Sequence, residues 1–271
     1  MKFLGFRRPD GKVGIRNHVL VLATVGCAAE AALQTADGIF GAVSFINQNG
    51  CGESSRNLRR TQDVLVGMAA NPNVYGVVAI GLGCEMNRMD GFIKELRART
   101  DKPIEGLLIQ EEGGTIETVA KAKKIARRMV IEASMCRREE CDISELMLGI
   151  ECGGSDATSG LVSNPVMGII SDRIIAAGCQ LIVFTTGRGN AIGSAVAPVM
   201  KVTANGDTAR KLSDNIDLDM SAVLEEGVSL DAMADITMQQ ILDTLSGRLT
   251  SAETLKLGYS EAVISRACEY C

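Results

Sequence analysis

Several residue types are scarce in this chain, and each shortage excludes a class of protein. Of the 271 residues, none is tryptophan, 3% are aromatic, and one, His18, is a histidine. The interior must therefore be filled by Ala, Val, Ile, Leu and Met. A single histidine argues against a Ser–His–Asp hydrolase and against a histidine-rich zinc site built from this chain alone. Its place at the start of an apolar strand favours a structural role.

Long apolar runs and excess positive charge are also missing. No stretch approaches the roughly 20 apolar residues of a membrane helix, and the first residues lack the apolar core of a signal peptide. We therefore expect a cytoplasmic protein with no membrane partner. The formal net charge of −5 argues against nucleic acid, whose phosphates need concentrated Lys and Arg. The nine cysteines are then interpreted as free thiols, metal ligands or redox groups, rather than as a disulfide framework.

Apolar strands alternate with amphipathic helices along most of the chain. Strands such as HVLVLATVG and VYGVVAIGLG are apolar throughout, which predicts parallel sheets that helices cover on both faces. We therefore predict an α/β fold with mostly parallel sheets, helices on both faces and two Rossmann-like halves. The charged stretch CRREECD predicts the domain boundary. It separates an N-terminal α/β core domain, residues 1–142, from a C-terminal α/β domain, residues 143–271.

Polar loops follow several of these strands, at the edge where open α/β sheets bind ligands. Four cysteines share one position, just past an apolar strand and beside a glycine: Cys27, Cys51, Cys84 and Cys152. This position predicts that Cys51, Cys84 and Cys152 lie on one rim of the molecule and that at least two of the four ligate a metal or take part in catalysis. The alternative is that they are small core residues. Cys268 and Cys271 form a lone C-x-x-C, for which a frayed tail is the preferred interpretation.

Two glycine-punctuated loops, ECGGSD and TTGRGN, indicate what is bound. Glycine permits positive φ and a close approach of the backbone to a ligand. Arg188 in the second loop is suited to clamp a carboxylate through two parallel hydrogen bonds. Neither G-x-G-x-x-G nor a P-loop lysine motif occurs, so a nucleotide is disfavoured. The loops together predict a small acidic substrate, although TGRGN alone is also compatible with an ordinary tight turn.

The motifs together resemble a known family. The segments GFRRPDGKVGIRNHVLVLATVGC, GLGCEMN, GIECGGSDATSGLVSNPVMG and FTTGRGNAIGSAVAPVMKVTAN are similar to the altronate/galactarate dehydratases, a family that includes the large subunit of sulfolactate sulfo-lyase. The resemblance implies metal-dependent removal of water, or of sulfite, from a hydroxy acid, typically with ferrous iron. It also implies a small β-rich domain that bears histidines. Because the chain begins at the core motif, we expect that domain as a separate partner subunit, within an oligomer.

Candidate roles can now be assigned. The acid–base candidates are Asp156, Lys201 and Glu85. The substrate-binding candidates are Arg16, Asn17, Ser155, Asn164, Gly187, Arg188 and Gly189. The metal-ligand candidates are Cys27, Cys51, Cys84 and Cys152, which would hold Fe²⁺ or, alternatively, an iron–sulfur cluster. Structural turn roles are the alternative for Arg16 and Asn17, and a surface position is the alternative for Lys201. A metal in such an enzyme stabilises the ene-diolate that forms when the proton α to a carboxylate is removed.

Two departures from the family pattern bear on activity. Asn47 stands where relatives typically carry a histidine, and asparagine cannot act as a general base. Relatives also carry a substantial segment between SDRIIAAG and CQLIVFTTG, whereas Gly178 here is followed directly by Cys179. A glycine-ended helix feeding a strand is nevertheless a complete connection, so we expect a continuous chain there. The predicted activity is dehydration of a sugar acid. The alternatives are a sulfo-lyase and a shortened, non-catalytic acid-binding subunit.

Overall fold

The computed structural model of the chain describes residues 1–173 and 179–257, which divide into two compact units. Within that range, the N-terminal unit comprises residues 8–11 and 17–137, and the C-terminal unit comprises residues 1–7, 12–16 and 138–257. The sequence predicted one boundary, at residue 142. In the structure the chain enters the C-terminal unit between Arg137 and Arg138, and most of its first sixteen residues also belong to that unit.

The regular elements of the described residues are as follows. The strands are β1 (Lys2–Arg7), β2 (Val13–Gly14), β3 (His18–Ala23), β4 (Ala42–Phe45), β5 (Val74–Gly81), β6 (Ile104–Leu108), β7 (Glu139–Asp142), β8 (Met147–Cys152), β9 (Cys179–Thr185), β10 (Val199–Thr203) and β11 (Leu218–Asp219). The α-helices are α1 (Ala29–Ala36), α2 (Ser55–Ala70), α3 (Met89–Arg97), α4 (Thr115–Met135), α5 (Asn164–Arg173), α6 (Gly206–Lys211), α7 (Ala222–Glu225), α8 (Leu230–Leu245) and α9 (Ser251–Thr254).

The N-terminal unit is built on a parallel sheet with the strand order β4–β3–β5–β6. Residues 19–23 of β3 are fully buried, because helices cover both faces of the sheet. Val19 and Val21 pack with α1 and α4, and the alternate residues Leu20 and Leu22 face the side where α2 and α3 pack. The chain leaves β3 for β4 on one side and returns to β5 on the other. Doubly wound sheets bind ligands at such a switch point.

The C-terminal unit contains a parallel sheet in the order β8–β9–β10–β11, which has no such reversal. One face carries the main core, in which Val183 and Val202 pack with α5 and α8. On the other face Phe184 and Val199 pack with Ala252 of α9. Lys201 pairs with Phe184 in the register of β10 and β9, so its side chain belongs to this second face.

A second sheet in the C-terminal unit was not predicted from the sequence. β1 pairs antiparallel with both β2 and β7, and its partner residues in β7 run from Glu139 to Asp142. Phe3, Val13 and Cys141 from these strands join the main core of the unit. The predicted fold class, α/β with mostly parallel sheets and flanking helices, is confirmed.

Some sequence predictions fall partly or wholly outside the residues that the structure describes. The helix predicted over SDRIIAAG begins earlier, at Asn164, and is described as far as Arg173. The predicted continuity between Gly178 and Cys179 lies outside the described residues, as does the Cys268–Cys271 pair. Among the helices of residues 1–173 and 179–257, none combines the length and the apolar character that crossing a membrane requires.

Candidate active site

Loops from two neighbouring strands are locked together at the carboxyl edge of the C-terminal sheet. The carbonyl oxygen of Gly154, after β8, accepts hydrogen bonds from the backbone N–H groups of Gly187 (3.1 Å) and Arg188 (2.8 Å), after β9. The hydroxyl of Thr208 in α6 donates to the carbonyl of Gly187 over 2.7 Å. Gly154 has a φ of +62°, which glycine adopts without a steric penalty. The loop that carries Arg188 is therefore held by its own main chain.

Asp156 organises this edge. One carboxylate oxygen accepts three hydrogen bonds, from the N–H and hydroxyl of Thr158 and from the N–H of Ser159, and the other accepts from the amide of Asn205 at 2.8 Å. Burial alone would raise the pKa of Asp156, but the bonds from Thr158 and Asn205 outweigh it and hold the pKa below its ordinary value. A carboxylate with four donors is a weak base, so the geometry favours a positioning role over the predicted catalytic one. Its carboxylate also occupies the space that a Cβ on Gly187 would need.

Cys152 presents a thiol at the same edge. The side chain is exposed at the end of β8, and its sulfur lies 2.9 Å from the hydroxyl oxygen of Ser155. Thr185 donates a hydrogen bond to the amide oxygen of Asn164 beside it. The hydrogen bond with Ser155 is the largest cause that lowers the pKa of Cys152, and the neighbouring polar groups of Thr185 and Asn164 add to the lowering against the opposing effect of burial. The structure therefore brings two predicted substrate-binding residues, Ser155 and Asn164, to a thiol whose pKa is lowered.

The lowered pKa predicts that Cys152 is alkylated fastest among the exposed thiols near neutral pH, because the thiolate is the nucleophile. Ser155→Ala removes the largest cause of the lowering, so it should slow alkylation of Cys152 by iodoacetamide severalfold. Labelling rates resolved by peptide mass spectrometry would show this. Cys136, an exposed thiol on the N-terminal unit, is the internal control. A Ser155→Ala chain with an unchanged Cys152 rate would contradict the prediction.

Arg188 and Lys201 differ sharply in their surroundings. Arg188 is exposed, and its guanidinium has no ion pair within the described part of the chain. Lys201 is fully buried, and its amine has no hydrogen-bond partner there. Burial lowers the pKa of Lys201 against the opposing charge of Asp217. Thr185 and Cys152 pair across β9 and β8 and lie on the opposite sheet face from Lys201. The acid–base role of Lys201 stays a prediction, but the sheet separates it from the thiol.

Arg16 and Asn17 occupy structural positions. The guanidinium of Arg16 makes two hydrogen bonds to the carboxylate of Glu253 and three to main-chain carbonyls, which uses all five of its N–H donors. Asn17 accepts from Arg8 and donates to the carbonyl of Ala133. This geometry favours the structural alternative for both, because Arg16 has no free donor for a substrate carboxylate and the amide of Asn17 is engaged at both its oxygen and its nitrogen.

The sequence reasoning missed two residues that shape the edge, Asn205 and Thr208. Asn205 caps α6 by accepting from the backbone N–H groups of Asp207 and Thr208, while its amide nitrogen donates to Asp156. The strand-end rule that selected Arg188 would also have selected Asn205, since Asn205 is the second residue after β10. The bond from Thr208 to Gly187 could not have been found this way, because a helix interior carries no such signal.

The carboxyl edge of the N-terminal sheet carries the other predicted residues. Cys27, Cys51 and Cys84 are exposed in the loops after β3, β4 and β5, and Glu85 is buried, with its carboxylate accepting from the N–H groups of Leu82 and Gly83. Gly26 donates to the carbonyl of residue 49, while Gly50 lies against Val25. The loops after β3 and β4 therefore run in opposite directions past one another.

The thiols do not form a metal-binding group by themselves. Across the described ranges, no group of three or more His, Cys, Asp or Glu side chains could hold a metal ion. Cys152, the fourth predicted ligand, belongs to the C-terminal unit, whereas Cys27, Cys51 and Cys84 belong to the N-terminal unit. The donors of either unit as described thus do not fit the implied iron or cluster, and metal binding by these cysteines stays a prediction.

Most of this chain matches the models of known protein families. Residues 5–134 match the second domain of the D-galactarate dehydratase/altronate hydrolase family, and residues 143–178 and 173–269 match the C-terminal domain of D-galactarate/altronate dehydratase. The chain belongs to the galactarate/altronate dehydratase family. The resemblance noted from the motifs is therefore confirmed, over nearly the whole chain.

Individual members of the galactarate/altronate dehydratase family differ in how they align. The β subunit of (2R)-sulfolactate sulfo-lyase from Chromohalobacter salexigens is 28% identical, and the alignment covers 98% of each chain. The altronate dehydratases of Escherichia coli and Bacillus subtilis are 33% and 35% identical over 64% and 65% of this chain. The chain aligns with little more than a third of their length, 36% and 37%.

One region of the family is shorter in this chain. The alignment with the sulfo-lyase subunit spans 386 positions, against a chain of 271 residues, so more than a hundred positions of the relative have no counterpart here. The C-terminal family model matches in two pieces that meet at residues 173–178. This is the junction where the motifs indicated a missing segment, between α5 and β9.

Proposed function

We propose that this chain is the catalytic core of a lyase that removes water from a sugar acid. Membership of the galactarate/altronate dehydratase family supports the reaction class. The observation that carries the proposal is the C-terminal edge, where the exposed Arg188 lacks an ion pair in the described residues and its loop is locked to the loop after Cys152. An arginine whose main chain is held against the loop that follows Cys152 suits binding of a carboxylate, and the thiol suits removal of the neighbouring proton.

The proposed steps use groups of this edge alone. Arg188 pairs with the substrate carboxylate, and the Cys152 thiolate takes the proton from the α-carbon, with the C–H electron pair passing into an ene-diolate. The β-hydroxyl then leaves, and the thiol returns its proton to that leaving group, so that water and an enol are released and the thiolate is restored. The enol becomes a 2-keto acid. Ser155 stabilises the thiolate by a hydrogen bond.

A sulfo-lyase is the second candidate. The alignment over 98% of both chains with the β subunit of (2R)-sulfolactate sulfo-lyase favours it. The same acid-binding edge would then expel sulfite instead of water. That relative is one subunit of a larger enzyme, which supports our proposal of a separate small partner subunit bearing histidines, within an oligomeric cytoplasmic complex. Ferrous iron, or an iron–sulfur cluster, bound with the help of that partner is part of the proposal.

Asn47 bears on the third candidate, a non-catalytic acid-binding subunit. Its amide donates to the carbonyl of Thr24, and its oxygen accepts from the N–H of Asn49. It is 1% exposed. Both ends of this side chain are occupied, which supports a structural role rather than one in proton transfer. The proposed mechanism does not need a base at this position.

The deciding experiment measures turnover of altronate, galactarate and sulfolactate by the chain with and without its partner subunit, anaerobically, with and without Fe²⁺. Formation of a 2-keto acid supports the dehydratase, and release of sulfite supports the sulfo-lyase. Binding of a hydroxy acid by calorimetry without turnover under any of these conditions would favour the non-catalytic subunit.

Arg188→Lys is expected to weaken binding of the hydroxy acid about 10- to 100-fold, which corresponds to loss of one charged hydrogen bond worth roughly 1.5–3 kcal/mol. Lysine keeps the charge but loses the planar fork that matches a carboxylate. Isothermal titration would measure the change. The matched control is Arg210→Lys, which alters an exposed arginine paired with Asp207 and should leave the affinity unchanged. Equal affinities for wild type and Arg188→Lys would exclude the clamp.

A further inference from the structure

Seven buried polar side chains share the carboxyl edge of the N-terminal sheet, at the switch point between β3 and β5. They are each less than 9% exposed: Thr24, Asn47, Glu53, Asn57, Thr61, Glu85 and Asn87. The carbonyl oxygen of Thr24 links Asn47 and Asn87, because it accepts amide N–H groups from Asn47 (3.3 Å) and Asn87 (3.1 Å). The backbone N–H of Asn87 in turn donates to the carbonyl of Gly50. The ends of three strands are thus connected in one network, called here the switch-point cluster.

The switch-point cluster contains two carboxylates and no compensating cation. Glu53 accepts from the N–H of Gly50 (2.7 Å) and the hydroxyl of Thr61 (2.9 Å). Glu85 accepts from two backbone N–H groups and from the hydroxyl of Thr24. Neither carboxylate has an ion pair with Lys, Arg or His within the described residues. Burying two negative charges without a counter-charge is unfavourable.

Two acceptor atoms of the switch-point cluster also lack a donor. The side-chain oxygens of Asn57 and Asn87 are buried without a hydrogen-bond partner in the described structure. The amide nitrogen of Asn87 is committed to Thr24, so its oxygen is the end left unpaired. Asn57 lies in the first turn of α2, one turn before Thr61, on the face that the helix buries. The switch-point cluster therefore lacks positive charge and hydrogen-bond donors, whereas it has enough acceptors.

We propose that the switch-point cluster binds a hard cation such as Mg²⁺ or Ca²⁺. The unpaired amide oxygens of Asn87 and Asn57 would serve as ligands, and Glu53 and Glu85 would supply the counter-charge. Amide, carbonyl and carboxylate oxygens are the ligands that these ions prefer, whereas thiolates suit softer metals. The exposed cysteines at the same edge are not needed. The inference does not depend on the proposed function, because it concerns ion binding in the resting protein. A buried water molecule is the competing occupant.

The test titrates the full-length chain, stripped with a chelator, with Mg²⁺ and separately with Ca²⁺, and follows binding by calorimetry and the melting temperature by scanning calorimetry. We expect saturable binding of one ion and a higher melting temperature. Glu85→Gln, which keeps the side-chain shape, and Asn87→Leu should each weaken binding about 10- to 100-fold. Glu112→Gln is the matched control, because Glu112 belongs to the same unit but is paired with Lys121 at the surface. It should bind like the wild type.

Two results would overturn the inference. In the first, the wild-type chain binds neither ion and its melting temperature does not change when Mg²⁺ or Ca²⁺ is added. Water would then occupy this position. Binding that disappears in the triple variant Cys27→Ser/Cys51→Ser/Cys84→Ser, but persists in Glu85→Gln, belongs to the thiols. If Asn87→Leu fails to fold, as judged by circular dichroism, Glu85→Gln and Glu53→Gln decide the question. Turnover is not used as a readout, so failure of the proposed function leaves this test intact.

Discussion

Replacing Arg16 with methionine is expected to lower the free energy of unfolding by about 3–5 kcal/mol, the cost of breaking a buried ion pair. Arg16 is 6% exposed. It binds the carboxylate of Glu253 at 2.6 and 2.9 Å and the carbonyls of Ile15, Thr244 and Arg248. Methionine fills similar space but leaves one carboxylate and three carbonyl oxygens without these donors. Urea unfolding of wild type and variant would measure the loss.

The Arg16 prediction has a control in the same unit. Arg7 pairs with Glu139 and Glu145 at the surface, so Arg7→Met should cost less than about 1 kcal/mol. The double variant Arg16→Met/Glu253→Met should recover most of the loss, because no unpaired charge remains buried. Similar losses for Arg7→Met and Arg16→Met would contradict the prediction.

The acid dependence of the Arg16 pair has a definite sign. Burial alone would raise the pKa of Glu253, but Arg16 outweighs it and lowers the pKa below its ordinary value of 4.5. The pair therefore stabilises the fold fully above that value, and this stability is lost as the pH falls through the lowered pKa. The unfolding free energies of wild type and Arg16→Met should converge in acid.

Lys201→Met is expected to act in the opposite direction and to raise the free energy of unfolding by about 1–4 kcal/mol. The Lys201 side chain is fully buried, and its amine has no hydrogen-bond partner in the described part of the chain. Phe184 and Val199 flank it on an apolar face of the sheet. Methionine keeps the volume and removes the cost of burying an unpaired amine. Chemical unfolding at neutral pH would measure the gain.

Lys102 provides the contrast to Lys201. It is also buried, at 7% exposure, but its amine donates to the carbonyls of Ala69 and Asn71. Lys102→Met should therefore destabilise the chain, since it leaves two carbonyl oxygens without that donor. A Lys201→Met chain that loses stability as Lys102→Met does would show that the Lys201 amine is paired in solution.

The gain from Lys201→Met should also depend on pH. In the unfolded chain this lysine titrates near its ordinary pKa of 10.5, and burial lowers the pKa in the folded chain. Between the two values the unfolded state binds more protons, so the stability of the wild type rises with pH. The advantage of methionine is therefore largest below the folded pKa and shrinks as the pH approaches 10.5.

The sequence was sufficient to predict features that depend on residues close to one another along the chain. The apolar strands that alternate with helices predicted parallel sheets, and the strand-end rule placed Cys152, Ser155 and Arg188 in loops at the carboxyl edge. Features that depend on distant partners were missed. The pairing of Lys2 with Asp142 joins opposite ends of the first half of the chain, and no local pattern in KFLGFR indicates that partner.

The roles of the candidate residues were harder to predict than their positions. Arg16 was a reasonable carboxylate binder until its partner Glu253, 237 residues away, was known. Asp156 stands in a glycine-rich loop as a catalytic acid would, but its four donors come from residues whose placement requires the folded loop. For Lys201 the sequence left an acid–base role and a surface position open, and only the strand register reveals which face of the sheet it occupies.

The division of the chain has a consequence for how the protein folds during synthesis. Residues 17–137 form one unit inserted into another, which is begun by β1 and continued from Arg138. Arg138 donates to the carbonyl of Ile15 at 2.8 Å, so the two ends of the insertion lie side by side. The inserted unit can fold while the ribosome is still translating, as domains generally do. The edge of β1 that pairs with β7 has no partner until residues 139–142 emerge, and throughout that interval we expect the charges of Lys2 and Arg7 to disfavour association of this edge with other nascent chains.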